Sequence, residues 1–297
     1  MSRTVGFVGL GNMGLAMASR LAERGWRLRV YNRSGDKAAP LVAAGATRVD
    51  RPEDAAEPGG IVISMLADDG AVESIFGGQS KLVARLGPGG IHLSMSTIHP
   101  ETSRRLASEH GRAEVTYVAA PVFGRPQAAR AGELWIAVSG PEMARERVAP
   151  LLAAMGRGSF DFGSDPGAAN VVKLCGNFLI AAAVEALGEA AALAAKSGVD
   201  PGAVIDMLGK TLFACTIYQG YGRMIAAGQF QPAGFRLALG QKDVALALDA
   251  AQRAGVPMPL GVLLRDRGRA AIAKGRGDWD WSALSLGAAE DAGWKRA

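Results

Sequence analysis

Asn170, Lys173 and Asn177 stand in an otherwise apolar stretch at spacings i, i+3 and i+7. That spacing puts all three on one face of a helix. An ammonium group among apolar residues is costly unless something uses it. Burial also lowers a lysine pKa toward the range useful for proton transfer near neutral pH. Asn177, one turn on, is placed to orient the lysine or an oxygen atom of a substrate. The same pattern also fits a lysine near the helix start whose ammonium reaches solvent.

A second group of residues points to a nucleotide. Gly9-Leu10-Gly11-Asn12-Met13-Gly14 follows the apolar run Val5–Val8 and precedes a helical pattern. In that context GxGxxG is the fingerprint of a dinucleotide site. Gly9 permits the tight turn, Gly11 lets the backbone approach a pyrophosphate, and Gly14 lets helix and strand pack closely. The helix start supplies N–H groups and a favourable dipole. The next strand runs into Asn32-Arg33-Ser34, with Asn32 18 residues past Gly14. An NAD site usually offers a carboxylate there. Here Arg33 can pair with a 2′-phosphate, and Asn32 and Ser34 are neutral donors. The expected cofactor is therefore NADP(H).

These residues need a frame. Up to about residue 163, short apolar runs alternate with helical patterns: Val5–Val8, Leu28–Tyr31, Ile61–Met65, Ile91–Met95, Tyr117–Ala120, Trp135–Val138 and Phe160–Phe162 read as strands. The early runs are continuous, as in a parallel sheet covered on both faces. Leu15–Arg24 and Pro100–Glu109 read as helices between them. After Pro166 the strand signal ends, and 168 to about 197 reads as one helix of roughly 45 Å. It is apolar on most sides, which predicts burial between other helices. Lys173, Glu185 and Glu189 interrupt it, which argues against a membrane span. The expected class is α/β: a doubly wound Rossmann-type domain over 1–163, then an all-helical substrate and dimerisation domain over 164–297.

Composition agrees. The 297 residues are 49% hydrophobic and 21% charged, enough for two packed domains. A net charge of +5 suits anionic ligands. The basic residues are dispersed and aromatics amount to 6%, so no stacking platform for nucleic acid is evident. Cys175 and Cys215 are far apart, and the three histidines, His92, His99 and His110, lack metal-ligand spacing. The strand signal from Val5 leaves no room for a signal peptide. A cytoplasmic protein without metal is expected.

Taken together, these residues resemble the β-hydroxyacid dehydrogenase, or 3-hydroxyisobutyrate dehydrogenase, family. The resemblance spans nearly the whole chain. It includes the glycine fingerprint with Met17, Ser94–Thr97, Ala120-Pro121-Val122 with Gly124 and Gly132, Lys173-Leu174 with Asn177, and Phe235 ahead of Lys242-Asp243. It implies that Lys173 is the catalytic acid/base with Asn177 as its partner. It further implies that Met65, Leu66 and Thr97 border the cofactor, and that Lys242 reaches it from the helical domain. The family's substrate loop usually reads Ser-Gly-Gly after Pro-Val. Here Val122 is followed by Phe123-Gly124-Arg125. The serine hydroxyl is lost, the Gly124 amide remains, and Arg125 either supplies a carboxylate clamp or stands on the surface. Ile180 occupies the position where 6-phosphogluconate dehydrogenases carry a glutamate, which argues against oxidative decarboxylation. Imine reductases commonly replace the lysine, so its retention favours C=O over C=N chemistry. Three readings follow: an NADP-dependent dehydrogenase or reductase of β-hydroxyacids or related carbonyls, an imine reductase, and a non-catalytic NADP-binding protein. The apolar helical half suggests a homodimer.

Overall fold

The computed structural model describes residues 3–294. Six short runs form one parallel sheet: β1 (Thr4–Val8), β2 (Arg27–Tyr31), β3 (Thr47–Arg48), β4 (Ile61–Ser64), β5 (Ile91–Ser94) and β6 (Thr116–Ala119). Their order is β3-β2-β1-β4-β5-β6. The order reverses between β1 and β4, where Val8 pairs with Tyr31 on one side and Ser64 on the other. In open parallel sheets ligands bind at the carboxyl ends of the strands beside such a reversal.

Both faces of the sheet are covered, which explains the unbroken apolar runs. Phe7, Val30, Ile63 and Leu93 pack on one side with Met17 and Leu21 of the helix Asn12–Glu23. Val8, Val62 and Tyr117 pack on the other with Phe76 and Leu106. The strand β3 has no apolar signal, because both its residues are exposed.

The later strands depart from the expected series. β7 (Val122–Phe123), β8 (Leu134–Val138) and β9 (Gly156–Asp161) form a separate three-stranded sheet. β7 runs antiparallel to β8, and β8 runs parallel to β9. β9 begins four residues before the apolar run at Phe160, because Gly156 and Gly158 fit closely against β8. A Cβ at Gly158 would lie 2.8 Å from the Trp135 ring.

The helix Ala168–Lys196 is continuous over 29 residues. The chain divides into two units at Lys173/Leu174, inside this helix. Residues 164–173 group with the sheet because Ala169 and Val172 join its second core. The second unit is helical, around Val184, Ile225, Leu237, Val244 and Trp281. Asp200 caps the helix Pro201–Lys210 through the Gly202 and Ala203 amides, at 3.0 and 3.2 Å.

The long helix is less enclosed than its composition predicts. Its most apolar window is 44% buried, and by length and composition alone the helix is long and apolar enough to cross a membrane. Its polar members Asn170, Lys173, Asn177 and Glu185 face the protein interior, while Val171, Leu179 and Leu193 lie on an exposed stripe. Leu174, Val184 and Leu187 pack inward together with Ala181, Ala183 and Ala191.

A buried line of polar groups crosses the sheet. Ser64 Oγ lies 2.8 Å from His92 Nε2, and His92 Nδ1 lies 2.9 Å from His110 Nε2. The His92 ring stacks on Phe76, with centroids 3.7 Å apart. Burial, and then the neighbouring His110, hold the His92 pKa well below its ordinary value. Burial likewise lowers His110 to about 4. A histidine depressed in the folded state stabilises fully above its unfolded pKa of about 6.5, and that contribution is lost as pH falls from there toward 4. Between pH 7.5 and 5.0 His110 alone is expected to remove about 2 kcal/mol of stability. Urea midpoints measured at both pH values check this. A His110→Gln variant should lose the His110 share of that slope, about 2 kcal/mol, while buried His92 keeps its own; an equal slope in both proteins would refute the assignment.

Candidate active site

The glycine turn is built as its spacing predicts. Gly9 has φ 98°, and a Cβ there would lie 2.4 Å from the Met65 carbonyl oxygen. A Cβ at Gly14 would lie 2.0 Å from the Gly9 carbonyl oxygen, so this glycine joins helix to strand. Gly11 is different: its missing Cβ points into open space, with no protein atom within 4 Å. Gly11 also flanks the helix Asn12–Glu23, whose first turn contains no acidic residue. The first N–H groups of that helix, at Asn12 and Met13, have no intrahelical acceptor. An open glycine backed by unopposed helix amides fits a pyrophosphate.

The two glycines predict opposite variants. Gly14→Ala overpacks a backbone contact and should cost about 1–3 kcal/mol of stability. Gly11→Ala meets nothing in the protein and should keep its melting temperature while losing dinucleotide affinity. Thermal melts and fluorescence titrations separate the two effects. Normal dinucleotide binding by Gly11→Ala would remove Gly11 from the site.

Asn32 is used inside the protein. Its Oδ1 accepts from the Leu10 amide at 2.9 Å, and its Nδ2 donates to the Ser34 carbonyl at 2.9 Å. It therefore ties the glycine turn to the end of β2, and the donors left facing out there are the exposed Arg33 and Ser34. Arg48, which the sequence does not single out, lies beside them. Its guanidinium carbon would be 2.8 Å from a Cβ on Gly35, and it pairs with Asp50 at 3.2 Å.

The loops after β4 and β5 are held together. The Met65 amide donates to the Val8 carbonyl at 2.9 Å. The Leu66 amide donates to Ser96 Oγ at 2.8 Å, so Ser96 is a further organiser of this rim. Thr97, the next residue, is half-buried.

Lys173 is only 9% exposed, so the structure does not send its ammonium to bulk solvent. The start of its helix is anchored twice. The Ala169 amide donates to Ser139 Oγ at 3.1 Å, and Asn170 Nδ2 donates to Ser103 Oγ at 2.6 Å. Ser103 in turn lies 3.0 Å from the Tyr117 hydroxyl, whose pKa burial pushes up to about 12. Asn170 is thus a strut of the helix. The Lys173 Nζ lies 4.3 Å from the centroid of the Phe123 ring. Val122 and Phe123 pair with Ile136 and Trp135 in the small sheet. Gly124 has φ 140°, and a Cβ there would strike Leu134 at 2.6 Å. Arg125 is half-buried and flanks the start of the helix Pro126–Ala131.

In the second unit Asn177 is buried and its Nδ2 donates to Asp243 Oδ2. The other carboxylate oxygen of Asp243 lies 3.0 Å from Lys242 Nζ. Asp243, read from the sequence only as a neighbour of Lys242, therefore fixes both side chains. A buried acid next to a lysine on an amphipathic helix is the signal that could have found it. No group of three metal-ligating side chains occurs among the described residues.

Fold and glycine cradle together define an oxidoreductase that binds a nicotinamide dinucleotide. Residues 4–174 match the NAD-binding domain of 6-phosphogluconate dehydrogenase, and residues 167–286 match the NAD-binding domain of NADP-dependent 3-hydroxyisobutyrate dehydrogenase. The chain belongs to the 3-hydroxyisobutyrate dehydrogenase-like β-hydroxyacid dehydrogenase family. It is 40% identical over 280 residues to an uncharacterized oxidoreductase, YfjR, of Bacillus subtilis, covering 94% of this chain and 98% of that one. It is 35% identical to the 3-hydroxyisobutyrate dehydrogenase of Pseudomonas aeruginosa, over 88% of this chain and 90% of the relative. The solved Mycobacterium tuberculosis 3-hydroxyisobutyrate dehydrogenase with L-serine superposes with a TM-score of 0.86 at 28% identity, over 96% of this chain and 99% of that one.

Proposed function

We propose that this protein is an NADP-dependent dehydrogenase or reductase that interconverts a β-hydroxyacid or related alcohol with its carbonyl, using Lys173 as general acid/base. The observation that carries the reading is the buried Lys173 amine on a helix start anchored to Ser139, directly after β8, and to Ser103 on the helix Pro100–Gly111. When bound, the nicotinamide supplies or accepts the hydride. In reduction the Lys173 ammonium gives one proton to the oxygen of the carbonyl as it becomes an alkoxide, and the neutral amine regains a proton from solvent. In oxidation the neutral amine takes the alcohol proton. Asn177, held by Asp243, and the Gly124 amide orient the oxygen and the rest of the substrate. Lys242 serves the cofactor side of the site.

Arg33 and Arg48, with no acid at the end of β2, support NADP over NAD. Both cations suit a 2′-phosphate, and Ser34 adds a hydroxyl. The relatives named above support a hydroxyacid substrate. A second reading, imine reduction, draws on Phe123: the ring beside Lys173 is apolar where a hydroxyl would grip a carboxylate. A panel followed by NADPH absorbance tests both, with glyoxylate and succinic semialdehyde against apolar aldehydes and cyclic imines. Turnover of the carboxylate-bearing aldehydes supports the first reading. Turnover confined to cyclic imines supports the second, and no oxidation of NADPH by any of them overturns both. The exposed stripe Val171, Leu179 and Leu193 is the surface we assign to homodimerisation. Sedimentation showing only monomer would reject that assignment.

A further inference from the structure

Lys173 holds its amine over the face of an aromatic ring. The Nζ-to-centroid distance to Phe123 is 4.3 Å, and the lysine is 9% exposed. A ring quadrupole attracts an ammonium on its face, more strongly as water is excluded. A neutral amine gains nothing comparable. The contact therefore favours the charged form, against the desolvation that favours the neutral one. Both partners are fixed from outside the contact. Phe123 is registered against Trp135, and Gly124 turns the chain directly after it. The helix under Lys173 is tied to Ser139 and Ser103.

We propose that Phe123 is a positioning residue that holds the Lys173 amine as a ring-bound ammonium and so sets the pH range of proton transfer. The proposal rests on the acid/base reading of Lys173. In reduction the rate needs the ammonium and falls as pH rises through the Lys173 pKa. In oxidation the rate needs the free amine and rises through the same pKa. Weakening the ring contact lowers that pKa, so both limbs move to lower pH.

Other charged or titratable groups of the chain must be held constant. The helix of Lys173 carries Cys175 and no other such side chain before Glu185. Other segments of the same unit carry His99, Tyr117 and Arg125. Graded fluorination of the Phe123 ring leaves all of them untouched. Fluorine withdraws charge from the ring face with little change of shape.

The experiment introduces mono-, di- and trifluorophenylalanine at position 123 of the full chain. The Lys173 pKa is read in the protein without substrate from its 13Cε resonance, assigned among eight lysines by its loss in Lys173→Arg. The pH profile of NADPH-dependent reduction is read in parallel. The expected result is a stepwise fall of the pKa with each fluorine, reaching up to about one pH unit, with the kinetic limb following. Phe123→Tyr should keep the parent pKa and Phe123→Leu should show the full fall. A Lys173 pKa that does not move across the series overturns the proposal. The acid/base reading is decided separately, by the turnover of Lys173→Ala, so either can fail without the other.

Discussion

Lys173→Ala is expected to lower kcat by about 10²–10⁴-fold, the range that positioned acid–base catalysis contributes. Dinucleotide affinity should stay at the parent value, because the proposed cofactor contacts lie at the glycine turn and the β2 loop, away from Lys173. The loss should appear equally in kcat and kcat/KM, as for an interaction made only in the transition state. Lys173→Arg is an informative companion. It keeps a cation, but guanidinium does not release its proton in the working range, so it should be nearly as impaired in oxidation. Thermal melts of the alanine variant, run beside the kinetics, separate a loss of turnover from a loss of fold. Full turnover by Lys173→Ala with normal NADPH binding would refute the role.

The second large effect concerns the cofactor. Arg33→Ala is expected to weaken NADPH binding by about tenfold or more, while NADH binding changes little. A charge-assisted pair between guanidinium and phosphate is worth about 1.5–3 kcal/mol, and the lower end applies because Arg33 is exposed. Arg48→Ala should act in the same direction and more weakly, since Asp50 competes for its guanidinium. The effect of both substitutions should shrink as salt rises, as surface electrostatics requires. Titrations with 2′-AMP and 5′-AMP give the same comparison without turnover: only the 2′-phosphate should distinguish parent from variant. A parent protein that prefers NADH would overturn the NADP reading outright.

Some of this molecule is legible one residue at a time. Gly9, Gly11 and Gly14 have three different jobs, and spacing alone separates them because each follows from backbone geometry within a single turn. Apolar runs such as Val5–Val8 and Ile61–Met65 announce covered parallel strands for the same local reason. Phe123-Gly124-Arg125 is visible as a departure from a family loop, yet its consequence is not. That the ring meets the Lys173 amine depends on a three-stranded sheet: the sequence does not announce its strand Val122–Phe123 and merges the other two with the main series. Asn32 shows the converse. As a donor at the end of β2 it reads as a cofactor ligand, but its amide spans 22 positions to hold Leu10. Arg48 sits on a strand with no apolar pattern, and Ser96 is one serine among many.

The sequence by itself therefore determined the class of fold, the dinucleotide cradle and the lysine face of the long helix. Each of those rests on periodicity or short-range backbone constraint. The tertiary structure decided which polar groups are partners: Asp243 with Asn177 and Lys242, Asn170 with Ser103, and Phe123 with Lys173. It also decided that Lys173 is buried, a point on which the helical pattern allowed two answers. The physical reason is the same throughout. Hydrogen bonds and ring contacts between distant residues depend on distance and desolvation, and neither exists until the chain has packed.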